Sequence, residues 1–299
     1  MQANTVNVIE KKQSNQLLSW ILIVALAISL ISAVALTGET KTGFLGMAII
    51  SIFTIAHGII RYGITNMLVF LGLSFVISWS YESLSIVTGF PFGHYHYTDI
   101  MGPKLGLVPF MVPLSYFSTA YLSWTIGQVL LGQQNSKLKG SSFFTIPMIA
   151  AFIMVIWDLS ADPYAATINQ AWIWENGGGY FGVPFVNFLG WYLCTFTIFF
   201  TFSLFLKYFY YKKQPNITNP SIQQMLTPCV MYGVLSLQNI LNIFNKDDTM
   251  ITTLDNRIWQ ISGINEAMAT VGLFTMGFIA VLSITKLLAK NPKNQIYKN

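Results

Sequence analysis

The stretch Phe143-Phe-Thr-Ile-Pro-Met-Ile-Ala-Ala-Phe-Ile-Met-Val-Ile-Trp-Asp-Leu-Ser-Ala-Asp162 decides the fold. Fifteen consecutive residues from Phe143 to Trp157 carry no charge, and the run then ends on two aspartates. A helix needs about 20 apolar residues to cross the hydrocarbon of a bilayer. Seven more runs of this kind lie around it, giving eight in all: 17–36, 44–60, 64–86, 107–131, 143–162, 184–206, 226–244 and 266–287. The run at 44–60 is short and carries His57, so the count falls to seven if it is not a span. The chain is therefore expected to be all-α, a polytopic transmembrane helical bundle.

Composition supports this. Of 299 residues 54% are apolar and only 9% are charged, against about a quarter charged in a soluble protein. A soluble enzyme, a disordered chain and a disulfide scaffold are excluded. Cys194 and Cys229 stand alone in apolar runs, without metal-binding or redox spacing. The first run follows Lys11 and Lys12 and ends near Ala33-Val-Ala35, like a secretory signal. Its apolar part is longer than a signal core, so it reads as a retained span.

The net charge of +5 reads as topology rather than affinity for nucleic acid. With the N-terminus inside, twelve of the 16 Lys and Arg fall on inner segments. Lys41, Lys104, Lys246 and Arg257 make the outer four. The positive-inside rule then puts both termini in the cytoplasm. Residues 1–16 and 288–299 would be cytoplasmic tails of a single domain, 1–299, in the plasma membrane of a prokaryote. The loops 87–109 and 163–185 would face outward.

On this topology the buried polar residues share one depth. Glu82 lies near the outer end of its span, Asp158 and Asp162 at the end of theirs, and Glu266 at the start of the last. Asn187, Gln238, Asn239 and Asn242 fall at the same level. An ionisable group in a span is costly and marks function by default. Asp158 and Asp162 are four apart and share a helix face. Two carboxylates so close in a low dielectric cannot both ionise cheaply, which supplies an acid beside a base. The blander readings are a helix end before Pro163 for Asp162, a hydrogen-bond hub for Glu82 and helix-end compensation for Glu266.

The loop Gly89-Phe-Pro-Phe-Gly-His-Tyr-His-Tyr97 alternates aromatic and polar residues, as a short extended segment would. His94 and His96 then point the same way. A metal site with Asp99 finds too few other histidines in the chain, so no metal is expected. Trp79, Tyr95, Tyr97, Trp157 and Trp191 belong to a dense aromatic level at this depth. Most such rings form an interfacial belt. Some are candidates to line a site for a long apolar substrate and to stabilise a cationic intermediate.

Three stretches carry a resemblance. They are Gly89–Tyr97 with Gly106-Leu-Val-Pro-Phe-Met-Val-Pro-Leu114; Trp157-Asp-Leu-Ser-Ala-Asp-Pro163; and Trp172-Ile-Trp174 with Gly179-Tyr-Phe-Gly-Val-Pro184 and Asn187-Phe-Leu-Gly-Trp191. Their order and spacing over 80–195 resemble the integral-membrane carotenoid hydratases, which include the carotenoid 1,2-hydratases and bisanhydrobacterioruberin hydratase. The resemblance implies addition of water to a terminal isoprene double bond of an acyclic, lycopene-like carotenoid, without a cofactor. It also implies a place beside other carotenoid enzymes in the bilayer. The roles on matched positions are then proton donation by Asp158 or Asp162, water positioning by Glu82 and proton relay by His94. Trp79, Tyr95, Tyr97, Trp157, Asn187 and Trp191 would contact substrate.

Two other classes compete. Buried carboxylates also serve proton-coupled transporters, but those commonly show internal repeats and midplane sites. The Asp158-x-x-x-Asp162 spacing is half of an intramembrane prenyltransferase site, and no second acidic motif of that spacing follows.

Overall fold

The computed structural model describes residues 2–37, 43–134, 137–138, 140–210, 220–244 and 247–289. In chain order the elements are α1 (Gln2–Thr37), α2 (Gly43–Tyr62), α3 (Ile64–Thr88), β1 (Tyr95–Tyr97), β2 (Lys104–Leu105) and β3 (Val108–Pro109). Then follow α4 (Met111–Leu130), α5 (Ser142–Asp162), β4 (Trp172–Trp174), α6 (Phe185–Phe205), α7 (Ile222–Leu241), β5 (Met250–Thr252) and β6 (Ile258–Gln260). The last helix, α8, runs Ile261–Ala289 with a widened turn at Gly272–Gly277. The bundle is all-α, with three two-stranded ribbons in its loops. The segment expected as an N-terminal tail is helical from Gln2.

Among the described residues the bundle has the eight helices expected, and six of them are long and apolar enough to cross a membrane: α2, α3, α5, α6, α7 and α8. The short run with His57 is one of the six. His57 is buried and both ring nitrogens are engaged, Nδ1 with the Tyr121 hydroxyl at 2.6 Å and Nε2 with the Gln224 carbonyl at 2.6 Å. A satisfied imidazole is tolerated where a bare one is not. Arg61, one turn further, donates to Gln128 Oε1 at 2.6 Å, and Tyr62 and Trp124 join the same cluster.

Two further helices accompany them. In α1 the apolar part, among the described residues, is Gln16–Ser32. Helix α4 has length enough but is rich in hydroxyls, and nearly all of it from Val112 to Val129 is buried. It is the central post of the bundle, packed by α2, α3, α5 and α7. A helix that never meets lipid need not be apolar. Its hydroxyls bond back to its own turns, as Ser118 to Leu114 O and Thr119 to Ser115 O, or across to α2 through Ser51–Ser118 at 2.8 Å.

Helix boundaries follow local chemistry. Gly89 closes α3 in the left-handed conformation at φ 79°, its N–H on Ser85 O at 2.7 Å. Ser221 and Gln224 form a reciprocal capping box at the start of α7. The α-helical winding of α5 ends at Asp162, as the plain helix-end reading expects, but Pro163 does not break the helical path. The chain continues as a widened π-type turn over Pro163–Ile168, whose looser winding accommodates a residue without an N–H.

Candidate functional site

The two long loops expected to share one face meet there. Strand β1 pairs antiparallel with β4, aligning Tyr95 with Trp174, His96 with Ile173 and Tyr97 with Trp172. Alternation sends Tyr95 and Tyr97 inward and His94 and His96 to the surface. The ribbon roofs a cavity of about 630 Å³ between the helices. Glu82, Asp158, Asp162, Asn187, Gln238 and Asn239 all line it, from α3, α5, α6 and α7. So do Tyr95, Tyr97, Trp157 and Trp191.

Glu82 is buried and accepts three phenolic hydroxyls. Tyr116 of α4 donates to Oε1 at 3.0 Å. Tyr97 donates to Oε2 at 2.8 Å, and Tyr95 donates to the same oxygen. Burial first, and then the nearby Glu82 charge, push the Tyr95 and Tyr97 phenols well above their ordinary value. Both therefore act as donors throughout the neutral range.

Asp158 and Asp162 face the same cavity one helical turn apart. The Asn187 amide bridges them, Nδ2 donating to Asp158 Oδ2 at 3.1 Å and to Asp162 Oδ2 at 2.7 Å. Asp162 Oδ1 accepts no hydrogen bond of normal geometry, although the Trp172 indole lies near the carboxyl. The second wall is aromatic. Trp191 stacks on Tyr116 with ring centroids 4.4 Å apart, and Trp157 lies 5.8 Å from Trp191. Trp174 packs 4.8 Å from Tyr95, and its buried indole N–H has no hydrogen-bond partner among the described residues. The Tyr180 phenol, outside the helices and above the aspartates, is pushed up to about 12 by burial and by their charges.

Some sequence candidates lie elsewhere. His94 is exposed, with its ring over Gly89, where a Cβ would stand 2.6 Å from Nε2. It does not meet Glu82, because strand alternation turns it away. Trp79 is half-buried outside the cavity, donating to Leu105 O at 3.0 Å and so holding the β2–β3 ribbon. Glu266 is exposed; the buried amide on that turn is Asn265. His96 pairs at the surface with Glu175 at 3.6 Å. No group of three metal-ligating side chains occurs among the described residues.

Tyr116 escaped the sequence reading. Its signal was present in α4, a span-length helix whose polar residues fall on every side, which is the pattern of a fully enclosed helix. The contribution of α1 and α2 to the cavity wall left no comparable mark.

A polytopic helical bundle enclosing carboxyls and aromatic rings in an interior cavity defines the class, a multi-pass membrane protein with a buried polar and aromatic site. The model of the carotenoid biosynthesis protein family matches residues 38–252, and the chain belongs to that family. It is also similar to bisanhydrobacterioruberin hydratase of Haloarcula japonica, 32% identical over 117 residues. That match spans 39% of this chain and 38% of the length of the relative. No solved structure matches.

Proposed function

We propose that the protein hydrates a terminal isoprene double bond of an acyclic carotenoid, giving a tertiary alcohol. The observation that carries this reading is the pair Asp158 and Asp162, bridged by Asn187 and facing the same aromatic cavity as Glu82. The aspartates share one proton. Asp162 Oδ1, free of strong hydrogen bonds, delivers it to the less substituted alkene carbon. The electrons of the π bond form the new C–H bond and leave a tertiary cation on the neighbouring carbon. Trp157 and Trp191 face that charge with their π electrons. Water adds to the cation, and its surplus proton passes through Tyr95 or Tyr97 to Glu82. From there it returns to the aspartates through water, so the cycle consumes alkene and water only.

No step calls on a metal or an organic cofactor. The His94 relay expected from the sequence is replaced by the phenols, which stand between Glu82 and the ribbon. The charge pattern further supports a plasma-membrane protein with both termini inside and the cavity near the outer interface. General acid catalysis contributes about 10²–10⁴-fold, so Asp162→Asn should lower turnover by at least that much. The test is expression in a lycopene-producing bacterial host, with extracted pigment weighed by mass spectrometry. A gain of one or two waters is expected. Unchanged pigment with the protein present in the membrane would overturn the reading.

A further inference from the structure

One side of the cavity, where α1 meets α2 and α7, is lined by Leu26 and Leu30 of α1, Met47 and Ile50 of α2, Val112 of α4 and Leu235 of α7. None of these side chains carries a charge. Helix α1 packs between α2 and α7, and its faces are sharply divided. Leu26 and Leu30 are each 1% exposed, while Val24 and Ile28 on the other side are 52% and 58% exposed. Helix α1 is therefore buried on its cavity side and exposed on the other. That helix also lies outside the stretch matched by the family, which begins at residue 38.

We propose that α1 is the specificity wall for the apolar chain of the substrate, with Leu26 and Leu30 as the residues that fit it. This rests on the hydratase reading for the identity of the reaction, but not for the shape of the cavity. The geometry follows from polarity. A reacting alkene must lie against Asp158, Asp162 and Glu82, and the α1–α2 wall offers the remainder of a polyisoprenoid an uncharged face to lie along. Larger side chains there shorten the space available to the chain and leave the carboxyls unchanged. Leu26 and Leu30 are specificity residues and touch no reacting atom.

Two probes separate the wall from the carboxyls: lycopene, and 2,6-dimethyl-2-octene, which has the same terminal trisubstituted alkene on a short chain. Leu30→Trp and, independently, Met47→Trp should lower lycopene hydration in detergent extract at least tenfold. Both should leave hydration of the short alkene within twofold. Ile28→Trp, on the outer face of the same helix, should leave both substrates unaffected. Equal losses on the two substrates in both cavity variants, or lycopene turnover at the wild-type level in both, would overturn the proposal. Pigment bound to the purified protein supplies a readout independent of chemistry. If wild type retains lycopene without hydrating it, the hydratase reading fails. The wall proposal then stands when Leu30→Trp and Met47→Trp lose the pigment, and falls when they keep it.

Discussion

Replacing Asn187 by Leu tests the centre of the proposed site. The side chain is 2% exposed and its single NH₂ group spans both aspartates, at 3.1 and 2.7 Å. Leucine has the same branched skeleton of four heavy atoms and no donor, so the shape is largely kept while both hydrogen bonds vanish. Hydrogen bonds to charged groups contribute about 1.5–3 kcal/mol each. The longer bond falls near the bottom of that range, and the shorter one nearer its middle. Together they amount to roughly 3–4 kcal/mol, of which the part that orders the proton donor appears in the barrier. At 1.36 kcal/mol per tenfold, kcat should fall by at least about tenfold and by at most about 10²–10³. The assay is turnover of lycopene in detergent extract, followed by chromatography of the product, with gel filtration to confirm equal amounts of folded protein. Because the amide also sets how the two carboxyls share a proton, the pH profile of kcat should change as well. Turnover within threefold of wild type, with the same pH profile, would refute the assignment.

The other expectations are more compact. Glu82→Gln should lower hydration and let the cation return to alkene, so that deuterium from solvent enters recovered carotenoid; wild-type hydration would exclude Glu82 from the proton path. Tyr116→Phe removes one of its three donors and leaves the ring stack on Trp191, so a fall of about tenfold is expected, within the range for one hydrogen bond to a charged group. If the charge pattern sets the topology, Asn176→Cys should be labelled by an impermeant thiol reagent on intact cells and Lys213→Cys should not; the reverse pattern would invert the topology. The raised phenols of Tyr95 and Tyr97 contribute stability that is intact below the ordinary tyrosine value of about 10 and is lost as pH rises through their folded values. Melting temperature in detergent should therefore decline above about pH 10, and less steeply in a Tyr95→Phe/Tyr97→Phe double variant.

Much of the bundle was legible because lipid imposes a strong rule on sequence. A helix facing hydrocarbon must be apolar, and α3, α5, α6, α7 and α8 obey it. The rule fails for α4, which protein surrounds on every side. The meeting of Glu82, Asp158, Asp162, Asn187 and Asn239 at one cavity was legible for a related reason. Polar groups in spans are rare enough that a shared depth is informative. Depth says nothing of azimuth, however. Glu266 lies at the expected level and points outward, while its neighbour Asn265 is buried. Only 12 residues separate His94 from Glu82 in the chain, which suggests that they meet, but pairing of β1 with β4 fixes the face on which His94 emerges. That pairing joins segments more than 70 residues apart, and no local pattern announces it.

The polarity of α4 has a consequence for how the protein is made. A nascent helix offered alone to the bilayer partitions by its own hydropathy, and α4 carries Ser115, Ser118, Thr119, Ser123, Thr125 and Gln128 among its buried residues. Its neighbours remove these groups from lipid only after they are in place. Membrane entry of α4 is therefore a collective event: α3 must wait beside it, and α5 must arrive before the post is sheathed. A chain cut after residue 134 should leave α4 outside the membrane or hand it to the quality-control proteases. The full chain should integrate it late, once α5 and α6 have emerged from the ribosome.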